Sequence, residues 1–306
     1  MACQSSVLSA ADFKGGSMWR RAWFVAAIVM SLTVAFAPPT MAQQGDDAAA
    51  LIAEAKALHR KGKFVEAVSI ARRALSIREN ALGPDHPDVA RMLNTLGDLL
   101  RINGHNEESI RLHQRALGIF ERGPLHADVA TSLNNLGLVS TAIGNDQAAL
   151  SYHRRALDLR EKVLGLDDSD TAWSLNNLGD VLNTLNLYDA AEDHHKRALA
   201  IREKLYSPEH PDVAFSYYNL ARVAGARGDY ATAEQLHRRA LEIREKVLPP
   251  DHRDVAWSLQ ILGDTVRILG RYNDAQSLQQ RAFEMRQRLF GAFHAEVAQS
   301  LNALGL

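Results

Sequence analysis

The chain has 306 residues, 46% of them hydrophobic and 23% charged, and a net charge of −1. Those values are ordinary for a globular protein and exclude a disordered, collagenous or multi-span membrane chain. Lys and Arg number 35 against 36 Asp and Glu, so no basic excess favours nucleic acid, and the lone Cys3 supports neither an intrachain disulfide nor a cysteine zinc site.

Residues 1–42 come first and differ from everything after them. Arg20 and Arg21 precede an apolar run from Ala22 to Ala37, followed by Pro38, Pro39 and Thr40-Met41-Ala42. A basic start, a short apolar stretch and small residues at its end read as a secretory signal peptide cut after Ala42. The run is shorter than the roughly 20 residues that span a bilayer. An uncleaved leader is the alternative, and it is the one route by which this chain would meet a membrane. Met18, just upstream of the basic pair, is a second candidate start. Without residues 1–42 the chain loses Lys14, Arg20, Arg21 and Asp12, which leaves a net charge of −3 and no cysteine. The expectation is an exported protein, periplasmic or secreted, stabilised by packing alone. Residues 43–48 are small and polar and read as a linker into a repeat region over 49–306.

That region repeats itself. His86-Pro-Asp-Val-Ala90 has counterparts beginning at His126, Asp168, His210, His252 and His294, and their fourth residues (89, 129, 171, 213, 255, 297) lie 40, 42, 42, 42 and 42 apart. Leu-Gly or Leu-Ala follows each, at 96, 136, 178, 220, 262 and 304, and an Ala recurs at 74, 116, 156, 198, 240 and 282. Three markers in one register predict tandem units.

Each unit reads as two helices, A and B. In the unit beginning at Asp212, Val213, Tyr217, Leu220 and Val223 fall on one helical face, and Ala233, Leu236, Ala240, Leu241 and Ile243 form a similar stripe over Tyr230–Val247. The A-to-B turns carry Gly62, Gly104, Gly144, Asn186, Gly228 and Gly270, residues that tolerate the left-handed backbone past a helix end. All seven prolines after residue 42 (84, 87, 124, 208, 211, 249, 250) fall between a B helix and the next A helix. The recurring Ala predicts close approach of A and B.

At Asp170-Thr-Ala-Trp-Ser-Leu-Asn-Asn-Leu-Gly179, Arg197-Ala-Leu-Ala-Ile-Arg-Glu-Lys204 and His210-Pro-Asp-Val-Ala214 the chain resembles the tetratricopeptide repeats of kinesin light chains and their bacterial relatives, over about residues 47–306. The resemblance implies an all-α, right-handed superhelical solenoid whose A helices line a concave groove that holds peptide segments. Six helix pairs and one last A helix are expected. That helix keeps Val297, Leu301 and Leu304, where a terminal cap should be polar, so the expectation there is a truncated gene product or a surface covered by a partner.

The resemblance places Asn94, Asn134, Asn176, Tyr218 and Gln260 on the groove, two residues before each signature Leu, with Asn302 in the last unit. A carboxamide offers donors and an acceptor to a peptide backbone. Three residues before those in the middle units stand Trp173, Phe215 and Trp257, which read either as apolar anchors for a partner or as packing between repeats. Arg222 and Arg267 add positive charge, and Asp98, Asp180 and Asp264 make the surface mixed.

Nine of twelve histidines obey the repeat: 86, 126, 210, 252 and 294 before A helices, and 113, 153, 195 and 237 within B helices. Neighbouring copies lie two helix spacings apart, on the order of 16–20 Å, too far to share one zinc ion. Packing and capping are the expected roles, with no metal and no cofactor. The Arg160-Glu161, Arg202-Glu203 and Arg244-Glu245 pairs read as an exposed charged face. No phosphate loop, nucleophile elbow or metalloprotease motif occurs. The expected function is a non-catalytic scaffold that binds a protein or peptide in the groove, with no nucleic acid and no small-molecule substrate. The alternatives are a module that self-associates through its C-terminal edge, or a regulatory remnant of a larger protein.

Overall fold

The computed structural model describes residues 41–304 apart from 125 and 293, so the expected leader lies outside the described residues except for Met41 and Ala42. Among those residues thirteen helices follow one another with no strand: α1 (Met41–Arg60), α2 (Phe64–Leu82), α3 (Pro87–Ile102), α4 (Asn106–Phe120), α5 (His126–Ala142), α6 (Asp146–Val163), α7 (Ser169–Thr184), α8 (Tyr188–Leu205), α9 (Pro211–Ala226), α10 (Tyr230–Val247), α11 (Arg253–Ile268), α12 (Tyr272–Phe290) and α13 (Ala295–Leu304). Odd-numbered helices are the A helices and even-numbered ones the B helices. Residues 43–48, expected as a linker, are instead part of α1. Ala48 is fully buried there, because small residues suit the close approach to α2.

Every helix packs most closely on its partner in the pair and next on the following pair, so α2 touches α3 and α4 touches α5 along the whole array. Successive A helices also meet (α3 with α5, α5 with α7, α7 with α9, α11 with α13), and successive B helices do not meet to that extent. That asymmetry puts the A helices on the inner wall. No helix among the described residues is long and apolar enough to cross a membrane.

The sequence markers explain this geometry. Ala74, Ala116, Ala156, Ala198, Ala240 and Ala282 are all at most 1% exposed, at the A–B contact. Leucine in place of Ala156 would overfill that contact; Ala156→Leu is expected to cost about 1–3 kcal/mol, seen as a lower urea midpoint at unchanged slope. The glycines of Leu-Gly have a separate task. A Cβ on Gly97, Gly137 or Gly179 would come within 2.6, 2.5 and 2.7 Å of the rings of His113, His153 and His195, and one on Gly263 within 2.9 Å of Gln279 Cγ. In these four pairs the B helix lays a side chain on a bare stretch of its A helix.

Five of the A helices are capped by a residue just before their first turn. His86, His210, His252 and His294 accept through Nδ1 from the backbone N–H two residues on, at 3.1–3.2 Å, and Asp168 does the same through its carboxylate at 2.8 Å. The bond satisfies an N–H that the first helical turn leaves open. At the A-to-B turns the left-handed residue is glycine except for Asn186, at φ 61°, the lone non-glycine positive φ among the described residues.

Candidate functional site

The inner wall is organised by a row of buried arginines that composition alone would place on the surface. Arg160, Arg202, Arg244 and Arg286 stand four residues after the repeat Ala on their B helices, and each is at most 7% exposed. Each guanidinium donates to the Ser fourteen residues on, in the next A helix: Arg160 to Ser174 and Arg202 to Ser216 at 2.7 Å, Arg286 to Ser300 at 2.5 Å, and Arg244 to Ser258. These rungs tie every pair from α6 onward to the next. The expected exposed Arg-Glu face is therefore half right. The arginines turn inward, and the glutamates stay outside, where Glu161 and Glu245 meet Arg197 and Arg281 of the following B helix at 2.6 and 2.8 Å. In the short unit Phe120 replaces the arginine, and Ser132 accepts from Asn94 Nδ2 at 2.8 Å instead.

Over these guanidiniums lies a connected set of rings. Trp173 and Phe215 have centroids 5.4 Å apart, Phe215 and Tyr218 6.3 Å, and Tyr218 and Trp257 4.3 Å, edge to face. Arg202 Cζ sits 4.9 Å from the Trp173 ring and 5.6 Å from Phe215, Arg244 lies 5.4 Å from Trp257, and Arg222 5.7 Å from Tyr218, within the range of cation–π attraction. The aromatics thus serve both readings: they pack between repeats, and they stay open on the other side. Trp173 is 40% exposed, and Phe215, Tyr218 and Trp257 are half-buried. Beside Trp257 and Phe215 a hollow of about 540 Å³ opens, lined also by Arg244, Arg253, Glu296 and Gln299.

The carboxamide positions divide. Asn94 and Asn176, expected on the groove, are buried at 7% and 0%. Asn94 Oδ1 lies 2.9 Å from His113 Nδ1. With its amide turned so that the oxygen faces the guanidinium, Asn176 accepts from Arg202 at 2.7 Å and donates to His195 Nδ1 at 3.1 Å. They face helix B because they share a helical side with the glycine three residues later. Neither amide is free for a ligand. Asn134 and Gln260 are half-buried and engaged through oxygen only, accepting from Asn177 at 2.7 Å and from Arg286. Arg222 pairs with Asp180 of the preceding A helix at 2.5 Å.

Burial sets the protonation states. It pushes His113, His153 and His237 down to about 4 and His195 to about 3, with nearby arginines adding to the shift. It raises Asp98 to about 6 and raises Asp180 against the pull of Arg222. The four helix-B histidines are therefore neutral spacers. No group of three or more His, Cys, Asp or Glu side chains among the described residues is arranged to hold a metal ion.

The tetratricopeptide repeat model matches residues 46–122, 88–162, 128–204, 170–246, 212–286 and 254–306 in overlapping copies. The chain belongs to the tetratricopeptide repeat family. Its fold is shared by BtubC (BKLC) from P. vanneervenii, at 22% identity, 78% of this chain, 94% of that one and a TM-score of 0.60. A P. anserina putative kinesin light chain with nearly identical TPR-like repeats aligns at 21% identity over 67% of this chain and 98% of its own, with a TM-score of 0.57. PilW, a type IV pilus biogenesis factor, aligns at 16% identity over 83% and 98%, also at 0.57. No curated protein matches the sequence. Tetratricopeptide repeat proteins are in general protein-interaction scaffolds.

The Arg–Ser rung is the main feature that sequence reasoning missed. Its signal was present: Ser132, Ser174, Ser216, Ser258 and Ser300 recur three residues after the fourth signature position, a polar residue on an otherwise apolar face.

Proposed function

We propose that the protein is an exported, non-catalytic scaffold that holds a partner's extended segment on its inner wall, across α7, α9 and α11. The supporting observation is the open run of Trp173, Phe215, Tyr218 and Trp257 over three successive A helices. Rigid aromatic area of that kind dominates the energy of many interfaces. Asn134, Gln260 and Arg222 border it and orient the guest. Export rests on the composition of residues 1–42 alone.

The double variant Trp173→Ala, Trp257→Ala is expected to lose the partners that the wild-type protein retains on a column loaded with periplasmic extract, at a concentration where both remain folded by circular dichroism. Retained partners would overturn the assignment of the wall. A sedimentation mass that rises with concentration and is unmoved by the double variant would instead support assembly through α13.

A further inference from the structure

We infer that the segment held on this wall is basic, an extended strand with Arg or Lys side chains about three residues apart. The inference rests on the wall being the binding site proposed above. Near the start of each A helix from α3 onward stands an acid: Asp88, Asp128, Asp170, Asp212, Asp254 and Glu296. The outer members of this row are spent. Arg91 bridges Asp88 and Asp128 at 2.7 and 2.8 Å, and Glu296 is held by Arg253 at 2.7 Å and Arg286 at 3.7 Å. The middle three are not. Among the described residues Asp170, Asp212 and Asp254 form no ion pair with Lys or Arg, and their carboxylates accept no hydrogen bond from N2 onward in their own helices or from the neighbouring ones. His210 and His252 lie 4.0 and 3.9 Å from Asp212 and Asp254 through Nδ1. Each uses that nitrogen to accept a backbone N–H, so neither ring donates to the carboxylate.

What stands in place of Arg91 in the middle units is a ring. Trp173, Phe215 and Trp257 follow Asp170, Asp212 and Asp254 by three residues, one turn on along the same helical face, as Arg91 follows Asp88. The outer unit thus shows how such a row is closed, by a guanidinium that bridges carboxylates of two successive A helices. The middle of the wall leaves that place to a cation from outside. The hollow beside Trp257 gives the detail. Asp254, whose side chain is 59% exposed, and the exposed Gln299 line it together with Phe215 and Trp257. A guest that covers these rings strips water from the Asp254 carboxylate, which costs binding unless the guest returns a donor. An arginine or lysine does so with a charge-assisted bond and gains from the ring face as well. The wall's own cations are buried or taken. Arg160, Arg202 and Arg244 are at most 7% exposed and donate to Ser174, Ser216 and Ser258, while Arg222 is held by Asp180 and Arg253 by Glu296. They offset the carboxylates at a distance, yet an acidic guest meets exposed carboxylates before it meets an unpaired cation. The spacing follows from the helices. Neighbouring A helices lie about 8–10 Å apart, which an extended strand covers in about three residues at about 3.3 Å each.

Fluorescently labelled dodecamers repeating Arg-Ser-Ser, Glu-Ser-Ser or Gly-Ser-Ser, together with a pooled random-sequence library, test this against the purified full-length protein. The Arg-Ser-Ser peptide is expected to bind saturably and about tenfold more tightly than Gly-Ser-Ser, an advantage that shrinks between about 50 and about 500 mM salt. The same composition with its arginines in one block should bind about threefold more weakly; equal binding would overturn the spacing. Asp254→Asn, which keeps the shape and removes the charge, should weaken Arg-Ser-Ser about fivefold and leave Gly-Ser-Ser unchanged. The peptide comparison needs no variant and carries the test should Asp254→Asn fail to fold. Equal or tighter binding of Glu-Ser-Ser or Gly-Ser-Ser, or a folded Asp254→Asn that binds Arg-Ser-Ser as the wild type does, would overturn the basic guest. Library peptides retained by the wild type, lost by Trp173→Ala, Trp257→Ala and showing no basic preference would overturn it too and keep the wall as the site. Binding of no peptide, or binding unmoved by that double variant, would overturn both.

Discussion

Arg202→Ala is expected to split unfolding into two transitions and to lower the first midpoint sharply. Arg202 is 1% exposed and joins α8 to α9 through Ser216, to α7 through Asn176, and to the undersides of Trp173 and Phe215. Truncation leaves a buried hydroxyl and a buried carboxamide without their partner. Leaving a buried polar group unpaired in this way costs about 1–3 kcal/mol. In a repeat protein stability is close to the sum of unit terms and nearest-neighbour interfaces. The cost therefore falls on one interface, and the two sides of the array are expected to separate. Calorimetry checks this. A single transition within about 1 °C of the wild type would show that the rung contributes little. Arg202→Lys should behave like the alanine variant, since an ammonium cannot serve Ser216 and Asn176 as a planar fork does.

The second large effect is acid lability between about pH 6.5 and pH 4. In the unfolded chain His113, His153, His195 and His237 take up protons near the ordinary value of 6.5. In the fold they stay neutral down to about 4, or about 3 for His195, because each is buried and sits on an A helix with arginines nearby. The unfolded state thus binds more protons in this window, so stability is fully present above pH 6.5 and drains as pH falls. Asp98, which lies 3.8 Å from His113 Nε2, works the other way: raised to about 6, it takes a proton in the fold before the unfolded chain does. Asp180 and Asp264 are raised too and oppose the histidines further. With Asp98 offsetting one of these four histidines, their net contribution near pH 5 is a loss of about 3 protons, or about 4 kcal/mol per pH unit; burial also lowers His194, which adds to the loss, and Asp180 and Asp264 reduce it. Urea titrations at stepped pH give the slope. Replacing His153 by Gln, the residue that already occupies this position at 279, should flatten the slope by about one proton; a slope unchanged by that variant would remove the histidines as its cause.

How much was legible follows from what repeats. The period, the helix pairs, the turn residues and the close Ala contacts each leave a mark at a fixed register, and each mark has one physical cause. Asn186 could be placed in the left-handed turn because so few residue types tolerate it. The orientation of polar side chains was less legible. Asn94 and Asn134 occupy the same register, yet Asn94 reaches back to His113 while Asn134 turns sideways to Asn177. That choice depends on the neighbouring unit, where Phe120 leaves Ser132 free to take the Asn94 amide. Arg160 and Arg202 read as surface residues because burial of an unpaired arginine is rare. Burial becomes possible through the serine fourteen residues away, joined at Arg160 by the Asp170 carbonyl and at Arg202 by the rings of Trp173 and Phe215.

The links between units have a bearing on how the chain comes to be folded at all. The rungs join residues fourteen apart, and the longest side-chain bridge described above, from Asn177 to Asn134, spans 43. Loops of that size are inexpensive to close and do not grow as units are added. A polypeptide emerging from a narrow pore could therefore complete one hairpin, dock it on the last, and continue, without waiting for its far end to arrive.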